Sequence, residues 1–204
     1  MTKHQIVIVG GGAAGIATAS SLRSRDASLD IAIIEPSDQH YYQPGWTMVG
    51  AGVFTKGETV RTTDSVWPSG IKRIKGAVAT FAPKNNSVTL EDGSEVLYDF
   101  LVVAAGLKLD WGAIEGLEDT LGKNGVTSNY RFDLAPYTWE LVQKMRGKTA
   151  IFTQPPMPIK CAGAPQKAMY LSCDAWLKAG KLDGIDVSFC NAGPVLFGCA
   201  PYVP

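Results

Sequence analysis

Histidine is scarce in these 204 residues, with only His4 and His40 present. Cysteine is missing until Cys161. The four thiols (Cys161, Cys173, Cys190 and Cys199) crowd the last quarter, with no C-x-x-C pair and no histidine after them. That pattern argues against a zinc site, and no metal ligands are assigned. No G-x-S-x-G stands anywhere, which leaves a serine hydrolase without support. Neither sign of charge dominates: 19 Lys and Arg face 19 Asp and Glu, so no basic field invites nucleic acid. No run of about eighteen apolar residues exists to span a membrane. Met1-Thr2-Lys3-His4 leads straight into an apolar segment, so no signal peptide is expected. Repeats and low-complexity stretches are also absent, and the length suits one or two domains.

What is present begins at once. Gln5-Ile6-Val7-Ile8-Val9 is an apolar, β-branched run, the pattern of a parallel strand buried on both faces. Gly10-Gly11-Gly12-Ala13-Ala14-Gly15 follows and fits G-x-G-x-x-G. A helix is predicted over 13–25, and a second strand, Ile31-Ala32-Ile33-Ile34, ends at Glu35. Gly10 permits the tight turn, and Gly12 lets the backbone approach a pyrophosphate. Gly15 allows close packing of helix on strand, while Ala13 and Ala14 open a helix whose N-terminus holds negative charge. Glu35, about twenty residues on, can accept hydrogen bonds from ribose hydroxyls. Strand, loop, helix and closing acid together predict dinucleotide binding rather than a structural glycine turn.

A turn-punctuated series occupies 71–98, with segments at 71–77, 78–81, 87–90 and 95–98 and turns at Asn85-Asn86 and Asp92-Gly93. It reads as an antiparallel β-meander. Tyr98-Asp99 then introduces the apolar strand Phe100-Leu101-Val102-Val103-Ala104, which runs into Ala105-Gly106. A helix is predicted over 136–145, followed by a strand from Thr149 and a proline-rich turn, Gln154-Pro155-Pro156-Met157-Pro158-Ile159-Lys160, that delivers Cys161 to a helix start. The helix dipole, with Lys160 and Lys167 nearby, favours thiolate over thiol there, although many free cysteines are simply small core residues. Pro155, Pro156 and Pro158 carry no N–H donor, which argues against a second phosphate cradle. A further strand over 185–190 completes one βαβ unit. The predicted architecture is α/β: a Rossmann-like dinucleotide-binding domain, an FAD-binding domain by the resemblance given next, with an antiparallel β-meander insertion (1–118), an interdomain crossover (119–145), and an incomplete second Rossmann-like βαβ domain carrying Cys161 (146–204). One βαβ unit does not complete a doubly wound sheet, so the chain is expected to be the N-terminal half of a longer protein.

The strand ending at Ala104-Ala105-Gly106 resembles the D-x-x-V-x-A-T-G signature of two-dinucleotide-domain flavoproteins, with Ala105 in place of threonine. Together with the meander, this resemblance favours FAD over a plain nicotinamide site. Across nearly its whole length the chain resembles the sulfide:quinone oxidoreductases, particularly the branch with the mitochondrial enzymes. The resemblance is carried by the glycine loop, Glu35-Pro36, the stretch from His40 to Gly52, Ser128-Asn129-Tyr130, and most specifically Lys160-Cys161-Ala162-Gly163-Ala164-Pro165-Gln166-Lys167. It implies FAD, sulfide as donor and a quinone as acceptor. Two redox cysteines would take sulfur as a persulfide, and Cys161 matches the first of them; the second would lie beyond residue 204. It also implies that Gln43 and Pro44 approach the flavin and that the backbone near Val78 contacts adenine. The quinone pocket and a peripheral inner-membrane attachment would belong to the C-terminal part; without that part a cytoplasmic location is expected. With no cysteine before Cys161, the FAD is expected to be non-covalent.

Three alternatives stay open: a flavin-binding fragment without activity, a flavocytochrome-type sulfide dehydrogenase, and a relative of the NADH:quinone reductases. Homo-oligomerisation is also open. Of the remaining residues, Cys173 and Cys190 are read as structural, Cys199 is undetermined, His40 is read as a hydrogen-bonded loop residue, and the five tryptophans mostly as packing.

Overall fold

The β-branched run at the N-terminus forms strand β1 (Thr2–Val9), whose side chains from Ile6 to Val9 are buried on both faces. The structure, a computed structural model, describes residues 1–196 and 201. Within them the strands continue as β2 (Ile31–Ile34), β3 (Gln39–Tyr41), β4 (Val60–Thr62), β5 (Lys72–Ile74), β6 (Val78–Ala82), β7 (Ser87–Leu90), β8 (Glu95–Val103), β9 (Thr149–Gln154) and β10 (Asp186–Asn191). The helices are α1 (Ala13–Arg25), α2 (Gly45–Gly50), α3 (Thr63–Val66), α4 (Leu117–Thr120), α5 (Ala135–Lys144) and α6 (Gly163–Lys178).

The chain divides into two compact units. Met1–Tyr42 and Val60–Asp110 make the first; Gln43–Thr59 and Trp111–Pro204 make the second. The first is built on one sheet with strand order β5-β2-β1-β8-β7-β6. Strands β5, β2, β1 and β8 are mutually parallel, while β6, β7 and the start of β8 pair antiparallel. Two apolar layers form because both faces of the parallel strands are covered. Val7, Val9 and Ile34 belong to one cluster with Val88, Leu90, Val96 and Tyr98. Ile6, Ile8, Ile31 and Ile33 belong to the other with Ala19 of α1.

Two details depart from the sequence reading. The segment 71–77 is not the first meander strand: β5 pairs parallel to β2, with Ile74 beside Ile34. The meander is therefore β6, β7 and β8, turning at Asn86 and Gly93, both at positive φ. The separate segments 95–98 and 100–104 are one nine-residue strand, since β8 pairs along β1 from Val96 to Val103 while its start also pairs with β7.

In the second unit β9 and β10 pair parallel with α6 between them in sequence. Val142, Ala150, Trp176 and Ile185 form its buried cluster, and the Trp176 indole N–H donates to the Val142 carbonyl at 2.8 Å. Fully burying a side chain such as Val142 or Ile185 is worth about 1.5–3 kcal/mol. Cys173 packs against this cluster, and burial pushes its thiol pKa up. Cys190 corrects the structural reading, for it is exposed. The register explains this: Cys190 lies opposite Thr153, and Ile151, on the same face by alternation, is 63% exposed. That face of the two-stranded sheet carries no covering layer among the described residues. His40 lies in β3 opposite Arg61 rather than in a loop. Cys199 lies outside the described residues.

Candidate functional site

The glycine turn sits between the end of β1 and the start of α1, and its geometry accounts for its composition. Gly10 has φ of 103°, and a Cβ there would fall 2.3 Å from the Ala104 carbonyl oxygen. A Cβ on Gly15 would fall 1.8 Å from the Gly10 oxygen, so α1 meets the turn with no room for a methyl group. Gly11 also has a part, which the sequence reading did not assign. A Cβ there would lie 2.8 Å from the Glu35 side chain and 3.1 Å from the Trp67 ring. At Gly12 a Cβ would meet nothing within 4 Å.

That open space at Gly12 is the test of whether a dinucleotide fits. Gly12 is the N-cap of α1, with no side-chain cap and no acid in the first turn. Gly12, Ala13 and Ala14 are exposed. First-turn N–H groups have no intrahelical acceptor and favour an anion. The residues present therefore fit a pyrophosphate.

Glu35 closes β2 beside this turn. Its Oε2 accepts the Gly11 N–H at 2.7 Å, and its Oε1 accepts the Ser37 N–H at 2.7 Å. Each carboxylate oxygen keeps a further lone pair for a ribose hydroxyl. The loop behind it is anchored from below: the Ser37 carbonyl accepts from the Thr63 hydroxyl and the Arg73 guanidinium, each at 2.9 Å. Arg73 also pairs with Asp38 and Asp64. Lys75 and then Arg73 hold the Asp38 carboxyl below its ordinary value. Ala105 and Gly106 follow the end of β8, both exposed, with Gly106 at φ of 75°. Val78 opens β6, three residues after Lys75, and packs half-buried against the cluster containing Val9 and Ile34. The structure thus gathers Gly10, Gly12, Ala13, Ala14, Gly15 and Glu35 around one turn of the first unit. Gln43 and Pro44 belong to the second unit, where Pro44 caps α2 and the Gln43 carbonyl accepts the Trp46 N–H at 3.0 Å.

The other candidate turn lies wholly in the second unit, between β9 and α6. Cys161 is exposed and stands two residues before the first residue of α6. Its carbonyl accepts the Ala164 N–H at 3.0 Å. Its φ is 64°, a left-handed conformation that costs a residue with a Cβ roughly 1–2 kcal/mol. Tyr130, which the sequence reading left without a role, meets this turn. Its hydroxyl donates to the Lys160 carbonyl, and the Lys160 ammonium lies 5.8 Å from the centroid of its ring. Burial, and then the neighbouring Cys161, raise the Tyr130 pKa above its ordinary 10.0.

A parallel-dominated sheet with a glycine turn, an open helix start and a closing acid has the form of an α/β dinucleotide-binding domain. The family model for pyridine nucleotide-disulphide oxidoreductases matches residues 4–142, and the chain belongs to that family. It is 44% identical over 200 residues to the mitochondrial sulfide:quinone oxidoreductase of Dictyostelium discoideum, covering 97% of this chain and 44% of that protein. The corresponding protein of Mus musculus is 39% identical over 199 residues, covering 98% and 44%. The solved sulfide:quinone oxidoreductase of Aquifex aeolicus matches with a TM-score of 0.74 at 26% identity, covering 95% of this chain and 44% of that one. Family membership and these relatives imply a flavin cofactor. The chain spans less than half the length of the curated relatives named here.

Proposed function

We propose that this chain supplies the FAD-binding turn and one redox cysteine of an enzyme that oxidises sulfide and passes the electrons to a quinone. The observation that carries this reading is the contrast between its two strand-to-helix turns. One is a glycine cradle open to an anion. The other has lost donors to Pro155, Pro156 and Pro158 and presents an exposed cysteine, Cys161. A second nicotinamide cradle has little to work with there, so the NADH:quinone reductase reading is not favoured. The relatives named above do not favour the flavocytochrome reading either.

Gly12, Ala13 and Ala14 would hold the pyrophosphate of FAD, and Glu35 would hold a ribose. Backbone near Val78, with Ala105 and Gly106, would line the rest. The first unit has no cysteine, which supports non-covalent binding. When bound, the flavin supplies two-electron chemistry, taking electrons from sulfur and returning them to the quinone. Cys161 takes part in a disulfide whose sulfur hydrosulfide attacks, leaving a persulfide on one cysteine and a thiolate on the other. Its partner cysteine is assigned outside this chain. Quinones dissolve in membranes, so the enzyme works at a membrane surface. Among the described residues no helix is long and apolar enough to cross a membrane.

The test is an anaerobic absorbance titration of the purified full-length protein. Flavin bands that bleach with sulfide but not with NADH are expected. Cys161→Ser should slow that bleaching at least about a thousand-fold, as the loss of a reacting group does. A colourless protein, or bleaching by NADH alone, would overturn the reading, and so would unchanged bleaching in the serine variant.

A further inference from the structure

We infer that Tyr130 is a positioning residue for Cys161: by holding the Lys160 carbonyl, its hydroxyl fixes the direction of the Cα–Cβ bond that carries the cysteine sulfur. This rests on the reading of Cys161 given above. The Cα–Cβ direction of a residue follows from the two rigid peptide planes that flank it. At Cys161 both planes are tied. The plane on the carboxyl side is held by the bond from the Ala164 N–H to the Cys161 carbonyl, a local turn at the helix entry. The plane on the amino side is held by Tyr130, from thirty residues earlier in the chain. Together the two bonds hold φ at 64°, a conformation that persists when its surroundings over-determine it.

Tyr130 is itself seated for this task. It is half-buried, and its own N–H donates to the Ser128 hydroxyl at 3.1 Å. It grips Lys160 twice, through the backbone carbonyl and through the ammonium near its ring. Burial and the neighbouring Cys161 both favour the protonated phenol, so the hydroxyl remains a donor across the physiological range.

Direction matters for the chemistry assigned to Cys161. When hydrosulfide attacks a disulfide sulfur, one S–S bond forms as the other breaks, and the electron pair departs on the displaced thiolate. That step needs no further oxidant. It does need attacking, central and leaving sulfurs to align, and a small misplacement of reacting atoms costs rate rather than binding.

The experiment compares Tyr130→Phe, Cys161→Ser and the unchanged full-length holoenzyme by stopped-flow flavin bleaching over a range of sulfide concentrations. Tyr130→Phe keeps the ring and removes only the donor. Its limiting rate at saturating sulfide should fall about ten- to a hundred-fold. The half-saturating sulfide concentration, flavin content and melting midpoint should stay close to those of the unchanged protein. An unchanged limiting rate in Tyr130→Phe, while Cys161→Ser abolishes bleaching, overturns the positioning role and leaves the functional reading standing. Loss of flavin or a lowered melting midpoint in Tyr130→Phe assigns the residue a structural role and also overturns it. Bleaching at an unchanged rate in Cys161→Ser overturns the functional reading, and this inference with it.

Discussion

The turn after β1 and the turn after β9 share a plan: a parallel strand runs into a loop that opens a helix. They differ in what the loop offers. After β1, residues without side chains bring bare backbone to the surface, with Gly12 exposed, open space where its Cβ would lie, and no acid in the first turn of α1. After β9, prolines remove donors and the chain presents one exposed sulfur at a left-handed position. The first turn offers an anion several backbone N–H groups; the second offers a single exposed sulfur. A backbone cradle tolerates no added bulk, whereas an aimed side chain depends on what clamps its neighbours. One strand–turn–helix frame therefore presents either bare backbone or an exposed side chain, according to where its glycines and prolines fall.

That comparison can be broken at each turn. The largest effect is expected at Trp176, which is 3% exposed, packs α6 into the second unit's core and bonds the Val142 carbonyl. Trp176→Ala should cost about 3–5 kcal/mol, read as a lowered urea midpoint of the full-length protein. Next comes Gly15→Ala, whose methyl group would meet the Gly10 oxygen at 1.8 Å. It should cost about 1–3 kcal/mol and reduce flavin content, because α1 must back away from the cradle. A variant with full flavin and an unchanged midpoint would show that the first turn does not depend on bare backbone.

The smallest effect is a slope with pH. The Tyr130 pKa is raised in the folded protein, so the unfolded chain gives up this proton first. Stability should then fall as pH rises above about 10, the ordinary value for tyrosine. Tyr130→Phe should flatten that alkaline limb of unfolding midpoints measured against pH. An identical limb in the variant would mean that the phenol is not buried beside the second turn.

Much of this was legible from residues close together in the chain. The β1–α1–β2 path could be read because an apolar β-branched run, three glycines and a closing acid lie within about thirty-five residues. The limits of α1 agree with the predicted 13–25, and α5 and α6 begin near where their patterns place them. Long-range choices were not legible. Strand β5 joined the parallel edge beside β2 because a three-residue strand pairs with whatever edge is free, and its own alternation does not say which. Cys190 looked structural in a strand pattern, yet its side of the β9–β10 pair has no cover among the described residues. Residues 43–59 group with the second unit although they interrupt the first in sequence. Gly11 needs its missing side chain only because Glu35 and Trp67 converge there.

By itself, then, the sequence determined the periodic elements, the glycine-built character of the first turn and the donor-poor character of the second. These depend on intrinsic properties: glycine's freedom, proline's missing N–H, and the two-sided burial of β-branched runs. Only the tertiary structure decided that Glu35 binds Gly11 and Ser37, and that Tyr130 reaches the carbonyl beside Cys161. Those bonds join residues 2 to 30 positions apart, and the longer of them form only when folding brings distant segments together; no local pattern encodes such a meeting.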